Sequence, residues 1–201
     1  KNKFSVDINS SSTIVQYDNF SNYLNQATDL NKKYILPNIS GQVRYKIDRS
    51  KALTTRYNYS VSLPSSNQLL PVVNLSNPSN TITGNPDLKP NEKHSATINY
   101  RNFDFRTRSG YNIYANADFY ASEIITSSIY DVDRKRKTTY ENISGTYSIS
   151  GGGSWNKSIK QESNLLRYGI SLNGNFSTSK GFTDGILFDA VSTGVSPRIY
   201  M

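Results

Sequence analysis

The chain has no cysteine, and only one histidine, one tryptophan and one methionine among its 201 residues. Without cysteine there is no disulfide framework and no thiolate metal site. His94 has no second histidine and no spaced carboxylate pair beside it, so it reads as an ordinary residue at the start of a strand. No Gly-x-Ser-x-Gly elbow occurs. The run Gly151-Gly152-Gly153 lacks the following Lys-Ser/Thr of a phosphate loop, and a sheet bend or close packing beside Trp155 fits it better. Asp131-Val132-Asp133 opens like a calcium loop, but Arg134 and Lys135 stand where further oxygens are needed. The expectation is therefore no enzyme, no cofactor and no metal. No run approaches the 18 or so apolar residues of a membrane-spanning helix. The chain opens Lys1-Asn2-Lys3 without a signal peptide, as a piece of a longer or matured protein would.

What is abundant is polar and small. Ser, Thr and Asn number 29, 15 and 23, a third of the chain, and there are fifteen Tyr, while leucine is sparse. That composition favours strands with polar faces over a helical bundle. The net charge of +8 suits an anionic partner. The charges are dispersed, however, and the one dense run is Arg134-Lys135-Arg136-Lys137. It reads as a solvated loop, with lipopolysaccharide phosphate the better of its ligand readings and nucleic acid not expected.

Period-two alternation marks the strands. Leu53, Thr55, Tyr57, Tyr59, Val61 and Leu63 share one face, with Thr54, Arg56, Asn58, Ser60 and Ser62 on the other. Tyr111, Ile113, Ala115, Ala117, Phe119 and Ala121 alternate in the same way with Asn112, Tyr114, Asn116, Asp118, Tyr120 and Ser122. Tyr114, Asn116 and Tyr120 form a polar face able to stack on and hydrogen-bond a sugar. Further patterns occur at 3–9 and 13–17, 34–47, 95–105, 138–155, 166–176 and 191–201. The spacing slips between Tyr100 and Phe103, which predicts a bulge near Arg101-Asn102. The count is about eight strands and no helix. Long connections are expected at Asn19–Lys33, Pro64–Glu92, Ser127–Lys137 and Lys180–Asp189, alternating with shorter ones at 48–51, 106–110 and 156–164.

Several strands reach eleven residues, about twice the globular mean of 5–6 and enough for a tilted bilayer crossing. The fold class expected is all-β: an antiparallel up-and-down meander, one segment over residues 1–201, built as a section of an outer-membrane β-barrel. The runner-up is a small secreted β-sheet binding module with a dry core.

Within the 64–92 loop, which holds five of the seven prolines, lies Gly84-Asn85-Pro86-Asp87-Leu88-Lys89-Pro90. Pro86 and Pro90 stiffen it, Gly84 is expected to permit a turn, and Leu88 can pin it to whatever lies beneath. It is expected to release into a strand near Ser95. This stretch resembles the Gly-Asn-Pro-x-Leu-Lys-Pro signature of the Bacteroidetes-type TonB-dependent receptors, within their barrel region. Tyr34-Ile35-Leu36-Pro37, the Arg/Tyr/Ser strand before the long loop and Tyr140-Glu141-Asn142-Ile143 support the likeness, which spans about residues 30–201. The resemblance implies a wall section of a plugged barrel of about 22 strands, located in the outer membrane and taking up oligosaccharide, peptide or siderophore. Its implied partners are outer-membrane lipid, a plug domain and a TonB-type energy-coupling protein. A fragment of this kind is expected to self-associate through open sheet edges.

Overall fold

A computed structural model describes residues 3–23, 26–74, 77, 79–161 and 164–201. Among the described residues eleven strands form one sheet. They are β1 (Phe4–Tyr23), β2 (Gln26–Lys46), β3 (Lys51–Ser62), β4 (Val73–Asn74), β5 (Asn80–Thr83), β6 (Asn91–Asp104), β7 (Ser109–Tyr130), β8 (Arg136–Ile143), β9 (Thr146–Gln161), β10 (Asn164–Thr183) and β11 (Ile186–Tyr200). Antiparallel pairing runs β1-β2-β3-β6-β7-β9-β10-β11, so the chain meanders across the sheet.

β8 and β9 both pair with β7, one after the other, without a change of register. They make one crossing, interrupted at Ser144-Gly145, where Gly145 takes φ +81. Counted this way, the meander has the eight crossings that the alternation predicts. β4 and β5 belong to the long connection after β3, with β5 parallel to β8. Among the described residues β1 pairs only with β2, and β11 only with β10.

Three of the four expected long loops are largely strand. β1 and β2 continue to Tyr23 and from Gln26, β7 to Tyr130, and β10 to Thr183. These segments are the hydrogen-bonded ends of hairpins. A ladder of backbone hydrogen bonds holds them with no apolar alternation to reveal it. The connection expected at 156–164 is likewise strand to Gln161, with 162 and 163 outside the described residues. The hairpin β10–β11 turns on Asp184-Gly185, with φ of 51 and 75, the two-residue turn that such a dipeptide favours. Among the described residues the long connection is the one between β3 and β6, and besides β4 and β5 it carries a helical turn, α1 (Ser66–Leu69). The backbone N–H of Ser65 donates to Gln68 Oε1 at 2.8 Å at its start.

The bulge also sits elsewhere. Register between β6 and β7 is unbroken from Lys93 to Asp104 and shifts between Glu92 and Lys93. Ala121 is the extra residue on β7. At the other end Phe103 simply lies opposite Gly110, close enough that a Cβ at 110 would stand 2.8 Å from its ring.

Asp48, Asp104 and Asp131 each open a connection by accepting a backbone N–H two residues on, at 2.7, 2.8 and 3.0 Å. The N–H of Ser50, aided by that of Lys51, holds the Asp48 carboxyl below its ordinary value. A depressed pKa means the contribution is present above the unfolded value, near 3.9, and fades as pH falls through the folded one. The expected result is an NMR titration midpoint for Asp48 below about 3.9. A midpoint at or above that value removes this account of the turn.

Candidate functional site

The sheet has two unlike faces. On β7 the apolar set Tyr111, Ile113, Ala115, Ala117 and Phe119 is exposed, while Asn112, Tyr114, Asn116, Asp118 and Tyr120 are half-buried. β6, β9 and β10 repeat this: Ile98, Ile149, Ile170 and Leu172 are exposed at 50%, 49%, 51% and 55%. Side chains crowd on the inside of a curved sheet, so the polar face is the concave one. Only Leu30, Tyr34, Ala52, Leu69 and Leu88 are buried apolar residues among those described. A soluble sheet module requires a dry core on its apolar face, and that face here is the open one.

Aromatic rings bracket the apolar face. Toward the loop end, Tyr59 lies 4.8 Å from the His94 ring, His94 6.2 Å from Phe119, and Tyr147 5.8 Å from Phe176. His94, expected as an ordinary strand residue, is part of this row, its Nδ1 2.7 Å from Tyr57 Oη. Toward the turn end, Tyr100 lies 5.8 Å from Tyr111, and Trp155 5.8 Å from Tyr168. Tyr111 and Phe119 are eight residues apart, about 27 Å along a strand rising about 3.4 Å per residue. At a tilt near 40° the band between them is about 20 Å tall, close to the apolar belt of a membrane barrel. It holds Ile98, Ile113, Ala115, Ala117, Ile149, Gly151, Gly153, Ile170 and Leu172.

The concave face carries a cross-strand network instead. Arg56 Nε donates to Gln42 Oε1 at 2.6 Å. Ser95 Oγ donates to Asp118 at 2.6 Å, and Lys93 Nζ lies 3.2 Å from the same carboxylate. Asn99 Nδ2 donates to Asn112 at 3.0 Å. All three proposed sugar-face residues stand here. Asn116 donates to Ser150 at 3.3 Å, Lys93 Nζ sits 5.4 Å from the Tyr120 ring centre, and Tyr114 Oη donates to Asn173 Oδ1 at 2.8 Å.

That last bond spans β9. Tyr114 and Asn173 both pair with Gly152, and a Cβ there would stand 2.5 Å from Asn173 Oδ1 and 2.6 Å from the Leu172 carbonyl oxygen. Gly152 thus serves close packing. Gly152→Val is expected to cost about 1–3 kcal/mol by overpacking. Gly153→Ala, whose Cβ meets nothing nearer than 3.7 Å, is expected to stay within about 0.5 kcal/mol of the parent. Urea titration of both variants in micelles checks the pair, and equal losses would remove the steric account.

The Gly84–Pro90 stretch is clamped at the loop end. Leu88 is buried at 3% with Leu30 and Leu69, and Tyr17, Leu70, Ile124 and Tyr140 pack around them. Asn85 Nδ2 donates to the Tyr140 carbonyl at 2.8 Å, and its own Oδ1 accepts the Asp87 N–H at 2.9 Å. Asn142 closes a reciprocal pair: Lys89 N–H donates to its Oδ1 at 2.8 Å, and its Nδ2 donates to the Lys89 carbonyl at 2.9 Å. Lys32 Nζ donates to the Pro86 carbonyl. Pro90 is the last residue before β6, which begins at Asn91 rather than near Ser95.

Gly84 differs from expectation. Its φ is not positive. A Cβ there would lie 2.2 Å from the Leu70 carbonyl oxygen, so glycine is needed for close approach to the chain leaving α1.

The two remaining candidates are occupied from within. The Asp131 Oδ1 accepts the N–H groups of Asp133 and Lys135 at 3.0 and 2.9 Å. In the basic run, Lys135 pairs with Asp133 at 3.9 Å, Lys137 with Asp131 at 3.8 Å, and Arg136 Nε donates to Ser128 at 2.9 Å.

An apolar, ring-bordered outside, a hydrogen-bonded polar inside and connections gathered at the two ends define a transmembrane β-wall. The chain belongs to the Outer membrane protein beta-barrel family, whose model matches residues 10–196. That membership places it in the outer membrane. Comparisons with curated proteins and with solved structures each found no match.

Proposed function

We propose that this wall belongs to a TonB-dependent receptor that imports a nutrient such as an oligosaccharide, a peptide or a siderophore. One observation carries the proposal. Two stretches that resemble such receptors, Gly84–Pro90 and Tyr140–Ile143, lie about 55 residues apart in sequence yet hold each other through Asn85, Lys89 and Asn142. A motif built to fix the long loop onto the barrel keeps the mouth of the lumen in one shape. In this reading the chain supplies a closed hydrogen-bonded wall and loops that meet the ligand. A plug domain fills the lumen, and an energy-coupling protein drives transport. Tyr114, Asn116 and Tyr120 remain the lumen residues offered to a sugar.

The test is growth. A strain lacking the gene and a strain lacking the energy-coupling protein are grown on a panel of single nutrient sources. A shared defect on one source supports the reading. Normal growth of the gene-deleted strain on every source where the coupler is needed sinks it.

A further inference from the structure

Sequence separates Arg44, Arg56 and Arg101, but register gathers them. Lys46 pairs with Ala52, Ala52 with Arg101, and Arg44 with Thr54 two pairs further on, hence on the same face. All stand on the concave polar face, at the end where β2 turns into β3. Ala52 is small and buried at 9%, and the space above it is left open. The result is a cavity of about 580 Å³ lined by Lys3, Arg44, Lys46, Arg49, Lys51 and Arg101. That volume falls within the usual range for small ligands, about 300–1,000 Å³. A second hollow of about 250 Å³ continues it past Arg44 and Arg101 to Arg56.

The charge in this cavity is one-sided. Asp48 is the one acid in its lining, already bound to the N–H groups of its own turn and 3.6 Å from Lys51. Among the described residues no carboxylate pairs with Lys3, Arg44, Lys46, Arg49 or Arg101. The Nε of Arg44 is buried and has no hydrogen-bond partner. A buried donor left unmet costs free energy, and clustered cations repel. An anion carrying several oxygens relieves both, because guanidinium groups bind phosphate and carboxylate in bidentate fashion.

We propose that this cavity binds a small soluble ligand carrying two or more negative charges, as clustered phosphate or carboxylate groups. Lipid phosphate does not reach it, since the cavity opens on the face opposite the apolar band. A concave wall of one sign also concentrates such anions near the lumen. The inference rests on the polar face being the lumen face and not on energy-coupled import. Binding in micelles therefore fails or succeeds independently of the growth test.

The experiment is calorimetric titration of the full chain, refolded in zwitterionic micelles, with pyrophosphate and separately with citrate. Saturable binding of at least one probe is expected. Arg44→Gln and Arg101→Gln should each weaken it about tenfold or more, and Arg134→Gln, in the β7–β8 connection at the opposite end of the sheet, should leave it unchanged. Circular dichroism selects the variants that fold, and either arginine variant suffices. Pyrophosphate binding alone identifies phosphate as the ligand group, and citrate alone identifies carboxylate. The proposal is overturned if neither probe saturates the parent chain. Equal weakening by Arg134→Gln and the cavity variants overturns it too, as that is non-specific charge attraction.

Discussion

Ala115→Arg is expected to destabilise the protein in a bilayer by about 2–4 kcal/mol, the depth-dependent cost of a cation on the lipid face near the midplane. Asn116→Arg, one residue on, is expected to cost about 1 kcal/mol or less, the worth of one neutral hydrogen bond. Ala115 stands midway between Tyr111 and Phe119, with Ile98 and Gly151 as its cross-strand neighbours. Its side chain faces the band bounded by aromatic rings, where no water solvates a guanidinium. Asn116 points the other way, into the network with Ser150. Adjacent residues with opposite consequences are the signature of a strand with lipid on one side and water on the other. Urea titration in lipid vesicles measures both. Similar losses at the two positions would mean that the faces are not so divided.

Leu88→Ala is expected to cost about 2–5 kcal/mol, with most of that loss local to the loop. Leu88, Leu69 and Leu30 are the buried leucines among the described residues, at 3%, 1% and 7% exposure. They come from the long loop, its helical turn and the β1–β2 hairpin. Truncating Leu88 leaves a cavity where these three segments meet. The strands of the wall keep their own ladders whether or not this cluster is intact. Protease cleavage within residues 63–90 should therefore rise sharply while strand circular dichroism is retained. Unchanged protection would mean that the hydrogen bonds of Asn85 and Asn142 alone hold the clamp.

The crossings were legible where each had one apolar and one polar face. The strands β3 and β7 show this plainly at 53–63 and 111–121. Legibility stopped where the chain leaves the bilayer. Lys180 to Thr183 is strand with little alternation, so it reads as loop, although Asp184-Gly185 marks its turn. The first aspartate of each connection was a further unread signal, since Asp48, Asp104 and Asp131 all seed turns. Other features exist only through pairing. Gly84 is required by the Leu70 carbonyl and Gly152 by Asn173 and the Leu172 carbonyl, none of them near in sequence. The net charge looked dispersed along the chain. Register sets Arg101 beside Ala52, and Ala52 beside Lys46, which turns scattered cations into one cavity.

The central claim is that the exposed apolar face meets lipid. Trp155 is the single tryptophan. It lies on that face, 39% exposed, in the ring row at the turn end. Its fluorescence in vesicles containing brominated lipids tests the claim without any substitution. The account predicts strong quenching by brominated chains and little by aqueous iodide. Quenching by iodide, with no response to brominated lipid, would put the apolar face in water and contradict it.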